Sequence, residues 1–539
     1  MTWLAPLLEV FLPLGLAVLA LLSLHLATLT ALRWLLPERQ RPAWLPAEDE
    51  LPTVLVQVPL YNEGELVERA LASIAALDWP RERLVIQVLD DSTDGSLAAS
   101  RRAVAGLRMR GWQVSLHHRA VRRGFKAGAL AAGLEGCEAP FVAVFDADFM
   151  PAPDFLRRTL GVLLADPGVG HVQARWLHAN RDASRLTRAQ ARLLDGHFRV
   201  EQAVRHRLGL PVPFNGTCGV WRRAAIETAG GWSGDTLTED LDLSLRACFA
   251  GWDSAYLEDL GVPGELPISA RAWRVQQFRW TKGFVQCLRK LAPRVWTSQL
   301  PVWQKLLIGL QLVQPLSFLV GSLCLLAALP FISGHAAPGP VLTAMALTTT
   351  TIGLLGPISM LLTGGLVGGA RQAPMRALLR DAVVALVLTS GLLVSNARAA
   401  LEALLGIQSP FVRTPKGQQR PGLARRRRLL PPLAGVPELA AGGALLLFVL
   451  VEQPFALPAL ALAIGGLLGL GSLLRRDAAS AMRLNPALSA GPVPALEPSA
   501  APVILALPPQ PGGRTTPPAD LGWAPAGPVE VGLRGDASG

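Results

Sequence analysis

The chain has 539 residues, of which 50% are hydrophobic and only 17% charged, with a formal net charge of +11. Long apolar runs lie at the N-terminus and after Pro301, whereas residues 51–300 have the composition of a soluble domain. This uneven pattern excludes a single soluble globular domain. Cytoplasmic loops of membrane proteins carry an excess of Lys and Arg, and no nucleic-acid-binding signature accompanies the charge, so we expect no nucleic acid partner.

The first apolar run covers about residues 4–32 and is long enough to cross a bilayer. It is too long for the apolar part of a signal peptide, and no small-residue cleavage site follows it. Arg33, Arg39 and Arg41 come directly after the run. Since positive charges mark the cytoplasmic end of a crossing, we expect the following domain to be cytosolic.

Four short apolar runs alternate with helical patterns between residues 51 and 265. They cover residues 53–59, 84–89, 114–118 and 141–145, and helical spacing over 65–77 follows the first run. Apolar runs bounded by turns and separated by helices are typical of a parallel sheet covered on both faces. In such sheets ligands bind beyond the carboxyl ends of the strands.

Two of these strands end in paired acids. Asp90 and Asp91 follow the second run, and Asp146 and Asp148 follow the fourth. An Asp after a strand is often a turn former or a helix cap, but two such pairs at two carboxyl ends favour a ligand site. An Asp-x-Asp turn offers the oxygens that Mg²⁺ and Mn²⁺ prefer beside a diphosphate. Asp90 and Asp91 can instead accept hydrogen bonds from a base or a ribose.

Two further patterns have a structural and a chemical interpretation. Lys126, at the start of a predicted helix, is either a solvated helix-end lysine or a contact to a phosphate. Thr238, Glu239 and Asp240 begin another helix. They fit a capping pattern, and they also fit a general base that deprotonates an acceptor hydroxyl. The helix terminus is expected to stabilise the Asp240 anion.

Residues 270–290 mix apolar and basic side chains and include Gln276, Arg279 and Trp280. The mixture predicts an amphipathic helix on the membrane surface. Trp280 could also stack on a sugar ring, and Arg279 could bind a phosphate with two hydrogen bonds. The two interpretations are compatible.

The remaining apolar runs predict four more crossings, at about residues 302–331, 341–367, 434–451 and 454–474. Residues 376–405 contain Arg380 and Asp381, and a crossing there would place Arg425–Arg428 outside. We therefore predict a helix in the membrane interface, five crossings in all, an external N-terminus and a cytosolic C-terminus. Residues 477–539 are rich in Pro, Ala and Gly and are expected to be disordered.

Taken in order, these motifs resemble those of the processive family 2 glycosyltransferases, the cellulose synthase group. The similarity is greatest to the cellulose synthase-like A and C branch, which includes mannan and glucan synthases, and it covers roughly residues 52–416. The segments that carry it are Gln173-Ala174-Arg175-Trp176, Phe214–Arg222, Asp235–Asp242, Gln276–Gly283 and Phe411–Lys416. Arg413 departs from the pattern, because Val is usual there in cellulose synthases.

The resemblance implies a role for each site residue. The catalytic base is Asp240, and Asp146 and Asp148 hold the metal, Mg²⁺ or Mn²⁺. The nucleotide-sugar is bound by Pro59, Tyr61, Glu63, Asp90, Asp91 and Lys126. The acceptor and the diphosphate are bound by Phe214, Asn215, Gly216, Glu239, Gln276, Arg279 and Trp280. Phe411, Thr414 and Lys416 belong to a gating loop.

The resemblance also implies the fold and the domain order. We expect an α/β nucleotide-sugar-binding domain of GT-A type, with a mostly parallel sheet, embedded in an all-α transmembrane region. The expected segments are a transmembrane helix (1–36), the cytosolic GT-A domain (51–265), amphipathic interface helices (266–300), two transmembrane helices (301–370), an interface helix with the gating loop (371–430), two transmembrane helices (431–476) and the tail (477–539).

The implied activity is inverting transfer of a hexose from UDP-glucose or GDP-mannose to a growing β-linked polysaccharide. The donor, a polysaccharide or glycolipid acceptor and the lipid bilayer are the expected partners, in a multi-pass protein of a bacterial cell (inner) membrane. A glycolipid synthase that makes one transfer, of glycosylceramide or glycosyldiacylglycerol type, is the alternative. A non-catalytic scaffold is a third possibility, but the complete set Asp146, Asp148 and Asp240 argues against it.

Overall fold

A computed structural model describes residues 4–332, 339–367, 374–409, 435–443 and 458–483. The predicted gating loop with Phe411, Thr414 and Lys416 lies outside these residues. So do most of the predicted crossing at 434–451 and the predicted tail beyond residue 483.

Seven strands form one sheet in the order β3-β2-β1-β4-β6-β5-β7. The predicted strands are confirmed to within about one residue at each end, because buried apolar runs fix them: β1, for example, is buried at every position. The strands are β1 Val54–Leu60, β2 Leu84–Asp90, β3 Gln113–His117, β4 Phe141–Val144, β5 Val169–His178, β6 Gly219–Arg222 and β7 Asp253–Gly264.

Strand β6 runs against its two neighbours, while the other pairings are parallel. Gly219, the first residue of β6, lies opposite Val144, the last residue of β4. The loop that enters β6 therefore meets the loop that leaves β4 at one edge of the sheet. This reversal brings residues 214–218 beside Asp146 and Asp148.

Helices cover both faces of the sheet and continue into an apolar helical region. One core lies under α2, α3 and α5 and a second under α4, α8 and α9. The helices are α1 Leu4–Leu35, α2 Gly64–Ile74, α3 Ser96–Met109, α4 Phe125–Leu134, α5 Phe155–Ala165, α6 Arg185–Gly196, α7 Ala203–Arg207, α8 Arg223–Thr228, α9 Glu239–Phe249, α10 Ala270–Thr297, α11 Val302–Val313, α12 Ser317–Ile332, α13 Pro340–Leu366, α14 Met375–Ser390, α15 Leu393–Leu404 and α16 Pro458–Arg483. Residues 436–443 are also helical.

Three helical segments of the described part are long and apolar enough to cross a membrane: Val10–Leu35, Val302–Phe331 and Pro340–Leu366. They match the first three predicted crossings. The predicted interface helix at 376–405 is not one helix, since α14 and α15 meet at a bend of 52°. Together the two pass the same test of length and composition as a broken span or a re-entrant loop.

Two further expectations need correction. The predicted interface helices at 266–300 are a single helix, α10. The predicted disordered tail begins too early, because α16 continues past Asp477 to Arg483 and Asp477 accepts a hydrogen bond from the backbone N–H of Arg271. The apolar helix α16 thus docks on the start of α10.

A buried ion pair joins α10 to α15. The Lys282 side chain is 0% exposed, and its Nζ lies 2.7 Å from Oε2 of Glu402. Lys282 also contacts the hydroxyl of Ser409, the last described residue before the predicted gating loop. At the next residue of α10, a methyl group on Gly283 would come within 2.9 Å of the backbone N of Thr238. Helix α10 therefore packs directly against the segment that carries Asp240.

Candidate active site

A cavity opens at the carboxyl ends of the strands, where the sheet topology predicts a ligand. Most of the predicted site residues line it. They are Pro59, Tyr61, Glu63, Asp91, Lys126, Asp146, Asp148, Asn215, Gly216, Glu239, Asp240, Gln276, Arg279 and Trp280. We refer to this space as the donor cavity.

The two acids at the end of β2 have different environments. Asp90 is 0% exposed. Its Oδ1 accepts from the backbone N–H of Ser92 at 2.8 Å, and its Oδ2 accepts from the hydroxyl of Ser100 at 2.5 Å. Asp91 instead lines the donor cavity. Asp90 does not line the donor cavity, and both of its oxygens hold the loop that presents Asp91, so its contact with the nucleotide stays a prediction.

Two arginines that the sequence analysis did not single out lie at this part of the site: Arg119 holds Asp91, and Arg122 lines the donor cavity. Arg119 makes a bidentate pair with Asp91, with distances of 2.9 and 2.5 Å. Arg122 lies 3.3 Å from the ring centroid of Tyr61 and also lines the cavity. In the sequence, the one indication that these arginines belong to the site is that they lie close to Lys126. Arg122 and Tyr61 provide a flat, cationic surface of the kind on which a base can stack.

Lys126 belongs to the site. Its Nζ donates to Oδ1 of Asp146 at 2.6 Å and to the carbonyl of Gly216 at 2.8 Å. Burial lowers the pKa of Lys126, but the carboxylates of Asp146, Glu239 and Asp240 outweigh this effect and raise it. The interpretation as a solvated lysine is wrong, since the side chain is only 17% exposed and is held as a cation beside the acids.

Asp146 and Asp148 lie on one turn after β4 and both line the donor cavity. The backbone N–H of Asp146 donates to Oγ1 of Thr217 at 2.9 Å, and Oδ2 of Asp148 accepts from the backbone N–H of Glu265 at 3.1 Å. Within the described ranges no three His, Cys, Asp or Glu side chains gather as a metal cage. Two carboxylates fit a Mg²⁺ or Mn²⁺ ion whose other ligands are water and phosphate oxygens.

Asp240 lies in the first turn of α9, next to the loop that enters β6. Gly216 has a φ of +79°, and a methyl group there would lie 3.0 Å from Oδ2 of Asp240. Thr238 occupies the N-cap position, but its side chain does not cap the helix. Its hydroxyl instead contacts Sγ of Cys287 at 3.4 Å. The capping interpretation of this segment is therefore wrong for Thr238.

Burial, together with the neighbouring Glu239 carboxylate, raises the pKa of Asp240 to about 7. The backbone N–H of Leu241, Lys126 and Arg279 act in the opposite direction but are outweighed. The expectation that the helix terminus holds Asp240 as a stabilised anion is thus incorrect. A carboxyl group with a pKa near the working pH is well matched to accept and release a proton.

A second cavity adjoins the first and is rich in aromatic side chains. Trp176, Asn215, Thr238, Asp240, Gln276 and Trp280 line both cavities. The second cavity adds the predicted residue Phe214, and also His197, Phe198, Trp273, Phe284 and Thr389. Thr389 belongs to α14, so this cavity lies between the sheet domain and the apolar helices. We refer to it as the aromatic cavity.

Comparison with known proteins identifies the domain. Residues 52–283 match the model of the family described as glycosyltransferase like family 2. The chain carries a family 2 glycosyltransferase domain. Its seven-stranded, mostly parallel sheet, with the donor cavity at the carboxyl ends of the strands, is the expected GT-A fold.

The glycosyltransferase domain is similar to plant enzymes. Glucomannan 4-beta-mannosyltransferase 2 of Arabidopsis thaliana is 44% identical over 269 residues, which are 48% of this chain and 49% of that protein. Glucomannan 4-beta-mannosyltransferase 1 of Oryza sativa subsp. japonica is 42% identical over 260 residues, 47% of this chain and 50% of that protein. The chain thus spans about half the length of the relatives it matches. The resemblance to the cellulose synthase-like A branch is confirmed.

One solved structure matches this chain over most of its length at low sequence identity. The mannosyltransferase from Pyrobaculum calidifontis, solved in complex with GDP-Man and Mn²⁺, is 23% identical, with a TM-score of 0.49. The match covers 73% of this chain and 99% of that one.

Proposed function

We propose that the protein is an inverting, processive glycosyltransferase that adds hexose units from a nucleotide-sugar to the end of a growing β-linked polysaccharide. The observation that carries this proposal is the position of Asp240 on the boundary of two cavities. The donor cavity contains the acids, Lys126 and Arg279 that suit a diphosphate. The aromatic cavity offers Trp176, Trp273 and other rings on which sugars can stack.

The proposed reaction is a direct displacement. Asp240 accepts the proton of the acceptor hydroxyl, whose oxygen attacks the anomeric carbon as the bond to the diphosphate breaks. Lys126 and Arg279 line the donor cavity on the side of Asp240 and attract the negative charge that develops on the leaving group. Attack opposite the leaving group turns an α-linked donor into a β-linked product.

Asp146 and Asp148 would hold the Mg²⁺ or Mn²⁺ ion. When bound, such an ion neutralises charge on the departing diphosphate. We expect EDTA to abolish transfer and added Mn²⁺ or Mg²⁺ to restore it, with Asp148→Ala inactive but folded. Asp259→Ala, at a carboxylate that is 75% exposed, is the control variant. Full transfer by Asp148→Ala in the presence of EDTA would rule out a role for the metal.

The donor is proposed to be GDP-mannose rather than UDP-glucose, because the relatives named above are mannosyltransferases. The test is to incubate the purified full chain with each donor and with β-1,4-linked mannotetraose, and then to size the products and analyse their linkages. A ladder of β-linked products from GDP-mannose is the expected result. One sugar added per lipid would instead support the glycolipid synthase, and transfer from UDP-glucose alone would correct the donor.

We further propose that the glycosyltransferase domain is cytosolic, in a multi-pass protein of a bacterial cell membrane. Arg33 and Arg41 lie at the end of α1 that joins the domain, as expected for a cytosolic end. A reporter fused within residues 333–339 is expected to be external and one fused after Arg428 to be cytosolic. An external reporter after Arg428 would make the pair α14 and α15 one broken crossing.

A further inference from the structure

A π-helical turn interrupts the helix that borders the aromatic cavity. It spans His197–Gln202, between α6 and α7. In a π-turn residues i+4 and i+5 both lie above residue i, so His197, Glu201 and Gln202 share one face. That face meets Asn215, which lies on the loop entering β6. Single π-turns are frequent at functional sites, but the polar network here is what carries the inference.

Hydrogen-bond chemistry fixes the direction of every bond in this network. The carbonyl of Pro213 can only accept, so the Gln202 atom 3.0 Å away is the Nε2 donor. The same Nε2 lies 2.6 Å from the Asn215 side chain, which must present its oxygen, Oδ1, at that point. The other amide atom of Asn215 is therefore the Nδ2 donor.

The same logic assigns the tautomer of His197. Nδ2 of Asn215 lies 3.2 Å from Nε2 of His197, which must accept. The proton of the neutral ring is then on Nδ1, which lies 2.8 Å from Oε2 of Glu201 and donates to it. Glu201 thus sets the tautomer of His197, and His197 sets the orientation of the Asn215 amide.

The oriented amide faces both ligand spaces, because Asn215 lines the donor cavity and the aromatic cavity. Its backbone is fixed independently, since its N–H donates to Oε1 of Gln173 at 2.9 Å. One Nδ2 hydrogen is used by His197, and the second has no hydrogen-bond partner among the described residues. That second hydrogen is available to a sugar oxygen beside Asp240.

We propose that His197 and Glu201 are positioning residues for the acceptor sugar: they hold the Asn215 amide so that its second Nδ2 hydrogen donates to an acceptor hydroxyl next to the one that Asp240 deprotonates. The inference rests on the proposed function. It assigns His197 a role in acceptor binding, because His197 lines the aromatic cavity and does not line the donor cavity.

The test compares His197→Phe, His197→Gln and a control, His117→Phe, in the full chain. His117 is exposed, bonds to the hydroxyl of Ser115 and lines neither cavity, so the control makes the same chemical change outside the two ligand spaces. Transfer from GDP-mannose to β-1,4-linked mannotetraose gives kcat and the acceptor KM, and calorimetry gives the Kd of GDP. Loss of one oriented hydrogen bond is expected to raise the acceptor KM about tenfold in His197→Phe.

In His197→Phe the Kd of GDP should stay within about twofold, because His197 does not line the donor cavity and its substitution removes no side chain that does. His197→Gln should recover most of the acceptor affinity, since its amide oxygen can take the place of Nε2. An unchanged acceptor KM in His197→Phe would overturn the inference. So would equal defects in His197→Phe and His197→Gln, or a weakened Kd of GDP, which would indicate a purely structural role. If the unaltered protein makes no transfer to the oligosaccharide, this result contradicts the proposed function. The acceptor role of His197, which rests on that function, is then contradicted too.

Discussion

Gly216 leaves room for Asp240. A methyl group at Gly216 would lie 3.0 Å from Oδ2 of Asp240, at a backbone φ of +79° that disfavours any other residue. We predict that Gly216→Ala displaces the carboxylate and lowers the transfer rate by on the order of 10². The measurement is the initial transfer rate, with the melting temperature followed in parallel.

Gly136→Ala is the matched control for this substitution. Gly136 has a similar φ of +72°, but a methyl group there meets open space. Both variants should lose about 1 kcal/mol of stability through backbone strain, and Gly136→Ala should keep its activity. Equal rates in the two variants would show that the contact with Asp240 is unimportant.

Asp240→Asn tests the base directly. The amide keeps the size of the carboxyl group but cannot take a proton, so the transfer rate should fall by about 10² to 10⁴. The Kd of the nucleotide should hardly change, because Asp91, Asp146 and Asp148 remain. Asp259→Asn, at an exposed carboxylate, serves as the control. Near-normal turnover in Asp240→Asn would give the role of base to Glu239 or to another acid.

The pH dependence of transfer follows from the same side chain. Burial and Glu239 raise the pKa of Asp240 to about 7, so the carboxyl group is protonated and inactive below this pH. At saturating donor the rate should rise about tenfold per pH unit on the acid side and level off above the pKa. Rate profiles between about pH 5 and 9, with nucleotide binding measured at each pH, provide the test. A rate that is flat across this range would contradict the assignment.

Asp90 and Asp91 should respond differently to the same substitution. Asp90→Asn leaves the buried hydroxyl of Ser100 or the N–H of Ser92 without its acceptor, at a cost of about 1–3 kcal/mol in the free energy of unfolding. Asp91→Asn should instead weaken nucleotide binding, since Asp91 lines the donor cavity. Denaturant unfolding and calorimetry of GDP binding separate the two effects. Weaker GDP binding with unchanged stability in Asp90→Asn would refute this division.

The sequence predicted the first four strands and most of the donor cavity, because apolar runs fix β1 to β4 and acids follow two of them. The four-residue strand β6 gave no such pattern. Its reversal, which brings Asn215 and Gly216 to Asp146, depends on pairing with β4 and β5. Adjacent acids look alike in sequence, so the inward direction of Asp90 became visible only with its partners Ser92 and Ser100.

The network around His197 was missed for a similar reason. A π-turn of six residues has no periodicity that distinguishes it from an α-helix in a sequence. The residues that orient Asn215 are four to eighteen positions away from one another or from it, and only the folded chain places them on one face. The break between α14 and α15 could not be predicted from the sequence either. It falls at Gly391 and Leu392, inside an apolar run that contains no proline.

The buried ion pair of Lys282 and Glu402 restricts which amino-acid substitutions this protein can accept during evolution. Removing Glu402 leaves the buried Lys282 ammonium without a counter-charge, at a cost of about 3–5 kcal/mol, whereas replacing both by apolar residues of similar volume can be nearly neutral. Removing Lys282 costs less, because Glu402 keeps its ion pair with Arg398. Single substitutions of Glu402 should therefore be lost from populations of variants more readily than single substitutions of Lys282. Among related chains, a lysine at the position of Lys282 and an acid at the position of Glu402 should be inherited together or exchanged together.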